Sequence, residues 1–526
     1  MSQKPRPASR IVDAVEQDRR TREIEMKLSL PHLGAATLLK RLKGIPLLAR
    51  HKPVTQHLHN VYYDTPDQFL RRERMALRLR QAGTPPSQHW LQTLKTGHRN
   101  DSALSQRGEW ETPVPGNALT QEALQATPWE DIDPQGVVFR ALAPCFTTQF
   151  VRTLWTIRRR NGDTVEIALD IGNILAAGQS TAICELELEL LSGEPEALFQ
   201  IARQIANSIA VLPLSKSKAQ RGYELSDGSL NLPMQAQPLT LSPDLKVSEV
   251  VVRLLREMFC QFTTNLNVLS VSDHPEAVHQ ARIGWRRFRS ALRLFKALPA
   301  LDAPPSWEPM RALLVQLGQL RDLDVACKET LPQLAAAYVA GNAQRQALWH
   351  STMDALEHAA GHQREAVRQS LAVPAVGLTL LEITHWLENL PTMIMQADAG
   401  EDVQALRPWA KALVGKAYDQ FRQVRRKAGH HPVSATDLHK LRIRAKRLRY
   451  GVAALQSLLP ERLGRRLHQE AVSAQEKLGA SRDLMQLITL VTALDVDERV
   501  VDFLRGYVTG RGKQQPACYF HKATAW

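Results

Sequence analysis

Five short segments in the first half of the chain alternate between charged or polar and aliphatic side chains. "TREIEMKLSL" (21–30) sets Glu23, Glu25 and Lys27 against Ile24, Met26, Leu28 and Leu30, and "MALRLR" sets Arg78 and Arg80 against Met75, Leu77 and Leu79. "LQTLK" ends on Lys95, "VEIALD" sets Glu166 and Asp170 against Val165, Ile167 and Leu169, and "CELELEL" sets Glu185, Glu187 and Glu189 against Leu186, Leu188 and Leu190. Successive side chains of a strand point to opposite faces of a sheet, so each segment reads as a strand with one charged and one aliphatic face. So many strands of this kind predict a closed antiparallel barrel.

Alternation does not say which face is inside. With the charges outward, the barrel has an aliphatic interior and a salt-bridged surface. With the charges inward, carboxylates meet a comparable number of Arg and Lys in a tunnel, where like charges at close range are unfavourable without a neutralising partner. A divalent cation with a polyphosphate would neutralise them: carboxylate oxygens hold Mg²⁺ or Mn²⁺, and Arg and Lys clamp phosphate oxygens from the other side. The aliphatic face would then need a cover, for which the amphipathic segments "HLGAATLLKRLKG" and "EALFQIARQIANSIA" are candidates. Spacing alone leaves both arrangements open.

At 526 residues the chain is too long for one hydrophobic core. "SDGSLNLPMQAQPLTLSPDL" (226–245), rich in Ser, Pro, Gly and Gln, separates the strand-rich half from long Leu/Ala/Arg/Gln segments with helical spacing. The expected division is a polar extension (1–20), a strand-rich domain (21–226), a linker (227–244), a helical domain (245–505) and a tail (506–526). A net charge of +14 points to polyanionic partners, namely nucleic acid, phosphate polymers or an anionic membrane surface. Five scattered cysteines without CxxC spacing argue against zinc and fit a reducing compartment. The first twenty residues lack a signal-peptide core and no later stretch is long and apolar enough to span a bilayer, so a cytoplasmic protein is expected.

The second half contains an internal duplication. "VHQARIGWRRFRSALRLF" and "LHKLRIRAKRLRYGVAAL" align without a gap at an offset of 160, pairing His279 with His439, Arg282 with Arg442, Arg286 with Lys446, Arg287 with Arg447 and Arg289 with Arg449. "LGQLRDLD" (317–324) and "LGASRDLM" (478–485) repeat at 161. On a helix His279, Arg282, Arg286, Arg289 and Arg293 form one narrow stripe, and Trp285, Phe288, Leu292 and Phe295 form a separate apolar one. Almost no acids interrupt the basic rows, which favours an anionic partner over a merely solvated face. DNA or RNA would satisfy the same electrostatics, but the stripes lack interleaved exposed aromatics, and no helix-turn-helix, RNP or zinc-finger signature occurs, which argues against nucleic acid.

The ExExK of Glu23, Glu25 and Lys27, followed in order by "YYDTP" (62–66), "LRLR", "ICELELELLSG" and "SKSKAQRGY", resembles the CYTH family of triphosphate tunnel metalloenzymes over about residues 20–225. The resemblance implies an eight-stranded antiparallel tunnel that hydrolyses a linear triphosphate with a divalent metal. Glu23, Glu25, Asp170, Glu185 and Glu187 resemble the metal ligands, with Glu189 on the same face, and Glu23, Glu25 and Lys27 carry the catalytic motif. Arg78, Arg80, Lys95, Arg152 and Lys218 resemble a phosphate clamp with Lys27 beside them, and "SQRGEWE" adds Arg107 and Glu109 as a looser match. Relatives in this family that carry a second domain hydrolyse inorganic triphosphate to pyrophosphate and phosphate. Thiamine triphosphatases and adenylate cyclases use the same tunnel, so the fold by itself does not settle the substrate.

Residues 245–500 resemble the CHAD domain, an α-helical domain of two related bundles that binds inorganic polyphosphate. That resemblance implies polyphosphate contacts at His279, Arg282, Arg286, Arg287, Arg289, Arg293, His439, Arg442, Lys446, Arg447 and Arg449, with Arg321 and Tyr450 as further candidates. Ala453 stands where the first copy has Arg293, so the two faces are expected to contribute unequally. The expected whole is a multidomain α+β protein, an N-terminal eight-stranded antiparallel β tunnel with covering helices and a C-terminal all-α domain of two pseudo-symmetric helical bundles. Polyphosphate granules are where such a chain would gather.

Overall fold

The computed structural model describes residues 22–30, 34–83, 88–97, 102–298, 301, 303–397, 405–427 and 435–513. The polar extension and the end of the tail lie outside the described residues. The chain forms two compact units, residues 1–232 with 371–385, and residues 233–370 with 386–526.

The first unit is built on β1 (Arg22–Ser29), β2 (Val54–Asp64), β3 (Met75–Ala82), β4 (His89–Thr96), β5 (Leu104–Val114), β6 (Ala143–Arg158), β7 (Thr164–Ala176) and β8 (Gln179–Ser192). Antiparallel pairing runs β5-β4-β3-β2-β6-β7-β8-β1 and closes from β1 back to β5, so the eight strands form a barrel. A two-residue strand, β9 (Leu212–Pro213), adds to the end of β1. Closure leaves no free edge in the barrel wall.

The charged faces point inward. Met26 and Leu28 of β1, Ile167 and Leu169 of β7, and Leu186 and Leu188 of β8 pack on the outside of the wall. They are buried there by α1 (Ala35–Lys43), through Leu38 and Leu42, and by α2 (Glu196–Ala206), through Leu198, Ile201 and Ile205. Both expected covering segments therefore cover the barrel. Each such Leu or Ile, fully removed from water, contributes roughly 1.5–3 kcal/mol, so the hydrophobic core under these helices is a layer outside the wall. A second layer, with Met75, Leu77 and Leu94, lies under Trp129 and Leu124. Near the barrel's other flank α3 (Lys218–Ser226) begins with a capping box, Ser217 accepting from the Gln220 amide while the Gln220 side chain accepts from Ser217.

The second unit is helical: α4 (Val247–Val271), α5 (Pro275–Leu294), α6 (Arg311–Val325), α7 (Ala343–Leu371), the second half of α8 (Pro374–Ala397), α9 (Leu406–Lys427), α10 (Ala435–Ala454), α11 (Glu461–Ala493) and α12 (Glu498–Lys513). The two basic segments occupy α5 and α10, whose bounds differ by the 160-residue repeat. Each is preceded by a long helix, α4 or α9, and followed by the helix carrying the second repeated motif, α6 or α11. Each copy has a 3-10 turn after the basic helix, at Glu308–Met310 and Gln456–Leu458, but the first has a π-helical segment at Ala326–Thr330 just after α6, while α11 runs unbroken for 33 residues. The apolar stripe of α5 is buried as expected: Trp285, Phe288, Leu292 and Phe295 are at most 7% exposed. Gly284 lets α5 approach α4 closely, since a Cβ there would lie 2.8 Å from the Phe262 amide nitrogen.

Candidate functional site

Strand register decides which charges meet inside the barrel, because directly opposed residues share a face. Lys27 of β1 stands opposite Glu187 of β8 and Glu25 opposite Glu189. Glu23 stands opposite Arg107 of β5, Asp170 of β7 opposite Glu185, and Arg152 of β6 opposite Asp170. The interior is a cavity of about 1170 Å³ lined by Glu23, Lys27, Arg78, Arg80, Lys95 and Arg152, with Glu187 and Lys218. Glu25, Asp170 and Glu185 lie behind that lining, at most 2% exposed, and are reached through the cations that touch them.

The charges form two groups. In the first, Asp170, Glu185 and Glu187 bring one carboxylate oxygen each to within 4.8 Å of one another, a spacing that one cation could bridge. The Lys218 ammonium stands among them, 2.7 Å from Asp170, 2.6 Å from Glu185 and 3.0 Å from Glu187. Arg152 binds Asp170 through two nitrogens at 2.8 and 2.7 Å and also reaches Glu187, while Arg221 holds Glu185 at 2.9 Å. Burial would raise the Glu187 carboxyl, but Lys218, Arg152 and Lys27 outweigh it and hold it well below the usual carboxylate range.

In the second group Glu23 accepts from Lys95 at 3.0 Å and from Arg107 at 2.6 Å, and Arg107 also binds Glu25. Lys27 binds Glu25 and lies 3.9 Å from Glu187, so it links the two groups. Burial opposes ionisation of Glu23, yet Lys95, Arg107 and Lys27 hold its carboxyl well below the ordinary range. The structure thus places Glu23 and Glu25 with cations and not in the three-carboxylate cluster. Glu189 behaves oppositely: burial, with Glu23 and Glu109 nearby, pushes it up to about 7.

Arg78 and Arg80 sit together on β3 with Glu111 3.8 Å from each. Burial and the neighbouring Arg78 and Arg152 lower Arg80 to about 10, so this is a cation crowded by cations. Its Nε donates to Asn60 at 2.9 Å, and Asn60 in turn donates to Thr148. Sequence reasoning missed Glu111, Asn60 and Arg221. Glu111 continues the alternation of Arg107 and Glu109, and Arg221 lies one turn beyond Lys218, so both had a signal; Asn60 had none.

In the helical unit, none of Arg286, Arg289, Arg293, Arg447 and Arg449 has an ion pair among the described residues. Buried Nε–H groups of Arg286, Arg447 and Arg449 have no hydrogen-bond partner there. The end of α5 packs against α10, and there burial and Arg293 lower both Arg289 and Arg447. His279 is lowered by burial and by Arg321, which places Arg321 beside the stripe, and His468 of α11, which had no sequence signal, is lowered by burial and Arg449. His439, Arg442 and Lys446 are on α10 as expected. Arg287 departs from the expected role: it points into the bundle, 2.8 Å from the buried Glu257 and 2.6 Å from Gln261. It lies off the stripe by one residue, and one residue on a helix is a 100° turn. Side chains at 477–482, including the second LG..RD turn, lie outside the described residues.

Residues 21–223 match the model of the CYTH domain and residues 253–492 that of the CHAD domain. An inorganic triphosphatase of Haemophilus influenzae is 32% identical over 213 residues, 39% of this chain and 54% of that protein, so the chain spans about half the length of this curated relative. An uncharacterized protein of Mycobacterium tuberculosis is 25% identical over 513 residues, 88% of this chain and 90% of that one. A crystal structure of the CHAD domain from the plant Ricinus communis is 25% identical, with a TM-score of 0.45, covering 54% of this chain and 93% of the other. A closed tunnel with inward charges, a duplicated basic helical unit and the two matching models give one answer: this is a two-domain CYTH–CHAD protein.

Proposed function

We propose that the CYTH tunnel, residues 21–226, hydrolyses inorganic triphosphate to pyrophosphate and phosphate with Mg²⁺ or Mn²⁺, and that a linker (227–244) joins it to a CHAD domain (245–505) that binds inorganic polyphosphate. The observation that carries the reading is the charged cavity, whose wall carries a surplus of guanidinium and ammonium groups and is backed by Asp170 and Glu185 clustered with Glu187. Asp170, Glu185 and Glu187 fit a divalent cation by oxygen chemistry and spacing, with Glu23 and Glu25 on the adjoining strand. A bound divalent ion would supply charge neutralisation at phosphate oxygens and a more acidic water.

The chain's own groups do the rest. Arg78, Arg80, Arg152, Lys95 and Lys27 line the cavity where phosphate oxygens would sit, and Arg107 completes the ring. Attack at a terminal phosphorus demands in-line positioning and neutralisation of equatorial oxygen charge more than a covalent nucleophile, and a rigid wall of cations provides both. Arg80 favours an anion most strongly, because a phosphate would relieve its repulsion from Arg78 and Arg152.

On the CHAD domain, the partnerless Nε–H groups of Arg286, Arg447 and Arg449 support a phosphate chain along α5 and α10, with His279, Arg282, Arg289, Arg293, His439, Arg442 and Lys446. Trp285, Phe288 and Tyr450 are buried and offer no stacking platform for bases, which favours polyphosphate over nucleic acid. No single described helix is long and apolar enough to cross a membrane, and a cytoplasmic protein gathered at polyphosphate granules is the setting we propose.

The test is phosphate release from triphosphate with Mg²⁺, Mn²⁺ or EDTA, alongside ATP, thiamine triphosphate and long-chain polyphosphate. Metal-dependent release from triphosphate is expected. Preference for a nucleoside or thiamine triphosphate would move the substrate, and no release from any of them would leave a polyphosphate-binding scaffold.

A further inference from the structure

Lys218 and Arg221, which reach Asp170, Glu185 and Glu187, do not belong to the barrel. Both are on α3, which follows the last barrel strand by some twenty-five residues, so their position depends on how that helix is docked. The docking contacts converge on Asp64, a residue outside the cavity lining.

Asp64 ends β2 and is fully buried. Its Oδ1 accepts from the backbone amides of Thr65 at 2.7 Å and Leu70 at 2.8 Å, and its Oδ2 from the Arg71 amide at 3.0 Å. The fourth donor is the hydroxyl of Tyr223, on α3, at 2.8 Å from Oδ2. One carboxylate thus shapes the turn after β2 and holds the helix that carries Lys218. Arg71, in the same turn, places its guanidinium 5.2 Å from the Tyr223 ring and forms an ion pair with Asp227 at the end of α3. Gln68 reaches Asp227 as well, at 3.3 Å.

The contact face of α3 is as closely fitted as its hydrogen bonds. The Tyr223 ring packs edge-on against Phe146 of β6, with centroids 5.0 Å apart, and Phe146 stacks on Tyr62. Gly222 lies flat on the same ring: a Cβ there would stand 2.2 Å from Phe146 Cε2, and a ring held between Tyr62 and α3 has no room to withdraw.

We infer that Asp64, Tyr223 and Gly222 are positioning residues: together with Arg71 and Asp227 they form a clamp that docks α3 and so sets where Lys218 and Arg221 stand among the three carboxylates. Asp64 and Gly222 lie outside the cavity lining, and Tyr223, which borders it, acts here through its bond to Asp64. The inference rests on the triphosphatase reading for its functional consequence, while the clamp itself is a property of the fold. It also accounts for "YYDTP": Tyr62 supports the Phe146 ring, Asp64 binds Tyr223, and the Thr65 hydroxyl accepts the Phe69 amide at 3.0 Å to complete the turn.

The experiment uses the full chain with Tyr223→Phe, which removes only the hydroxyl, and Gly222→Ala, which leaves every hydrogen-bonding group in place and pushes the helix off Phe146. Both are expected to lower kcat/KM for triphosphate by roughly tenfold, the scale of one hydrogen bond to a charged group. Each is then combined with Lys218→Ala/Arg221→Ala. If the clamp acts through those two cations, Tyr223→Phe and Gly222→Ala have little further effect in that background. Independent, multiplicative losses would overturn the inference. Hydrogen exchange gives a readout that needs no turnover: α3 amides in both variants should exchange at least several-fold faster while β6–β8 amides keep their protection. Unchanged α3 protection would overturn the clamp even if the enzyme is active. A parent protein that releases no phosphate but shows the α3 effect would refute the triphosphatase reading and leave the clamp standing.

Discussion

Arg80→Met separates a cation held for function from one held for stability. Burial and the repulsion of Arg78 and Arg152 lower Arg80 from the ordinary guanidinium range to about 10. A cation whose folded pKa lies below its unfolded one penalises the folded state at neutral pH, here by up to about 3 kcal/mol at roughly 1.4 kcal/mol per tenfold. Methionine keeps the aliphatic stem and removes the charge. It also removes the donor to Asn60, 2.9 Å away, and leaving that buried carbonyl unmet costs about 1–2 kcal/mol. The free protein should therefore become more stable by about 1 kcal/mol in urea unfolding. Triphosphate loses a charge-assisted contact worth about 1.5–3 kcal/mol, so KM should rise about 10- to 100-fold. Destabilisation by more than about 1 kcal/mol with KM unchanged would show that Arg80 is a structural cation and that the crowding of positive charge is not relieved by substrate.

Asp170→Asn and Glu185→Gln should each weaken Mn²⁺ binding, measured by calorimetry, by at least about tenfold and reduce turnover, with the far-ultraviolet circular dichroism of the barrel retained. Glu189 is raised to about 7, above its unfolded value near 4.5, so the folded state binds the extra proton and stability falls as pH rises between those values. Glu189→Gln removes that penalty: in EDTA it should match the parent near pH 4.5 and exceed it at pH 8, by no more than about 3 kcal/mol, whereas equal stability at both pH values would refute the assignment. Replacing Arg286, Arg289 and Arg293 together by Gln should lower polyphosphate affinity and flatten its salt dependence by close to one power of salt concentration per cation. Arg287→Gln should instead leave the salt slope alone and destabilise the helical unit by about 3–5 kcal/mol, because Glu257 would remain buried without its partner.

The alternation of Glu23, Glu25 and Lys27 announced a strand and a charged face, and the same pattern in four more segments announced a barrel. It could not announce the direction, because a period of two is identical for a charged interior and a charged exterior. The direction is seen only in the fold, where Leu38, Leu42, Ile201 and Ile205 bury the aliphatic side from outside. Pairing was the harder part. That Glu23 belongs to Lys95 and Arg107, while Glu187 belongs to Arg152, follows from register between strands far apart in sequence, which alternation within one strand does not contain, and Lys218 joins Glu187 from α3. In the helical half the 160-residue repeat made both basic helices legible, but it also carried Arg287 along with its neighbours. The buried Glu257 that claims Arg287 is thirty residues away on another helix.

The aliphatic layer of the first unit lies outside the barrel wall, between strands and covering helices, and the cavity surface is charged. Where α1 and α2 cover the wall, the residues that hold the fold together and those that meet a ligand are thus on opposite sides of the same strands. Substitutions on the inner face can change which phosphate compound is accepted without opening a void among Met26, Leu28, Leu186 and Leu188. A chain built this way can diverge in chemistry at nearly constant architecture, since selection on substrate and selection on folding act on alternate residues.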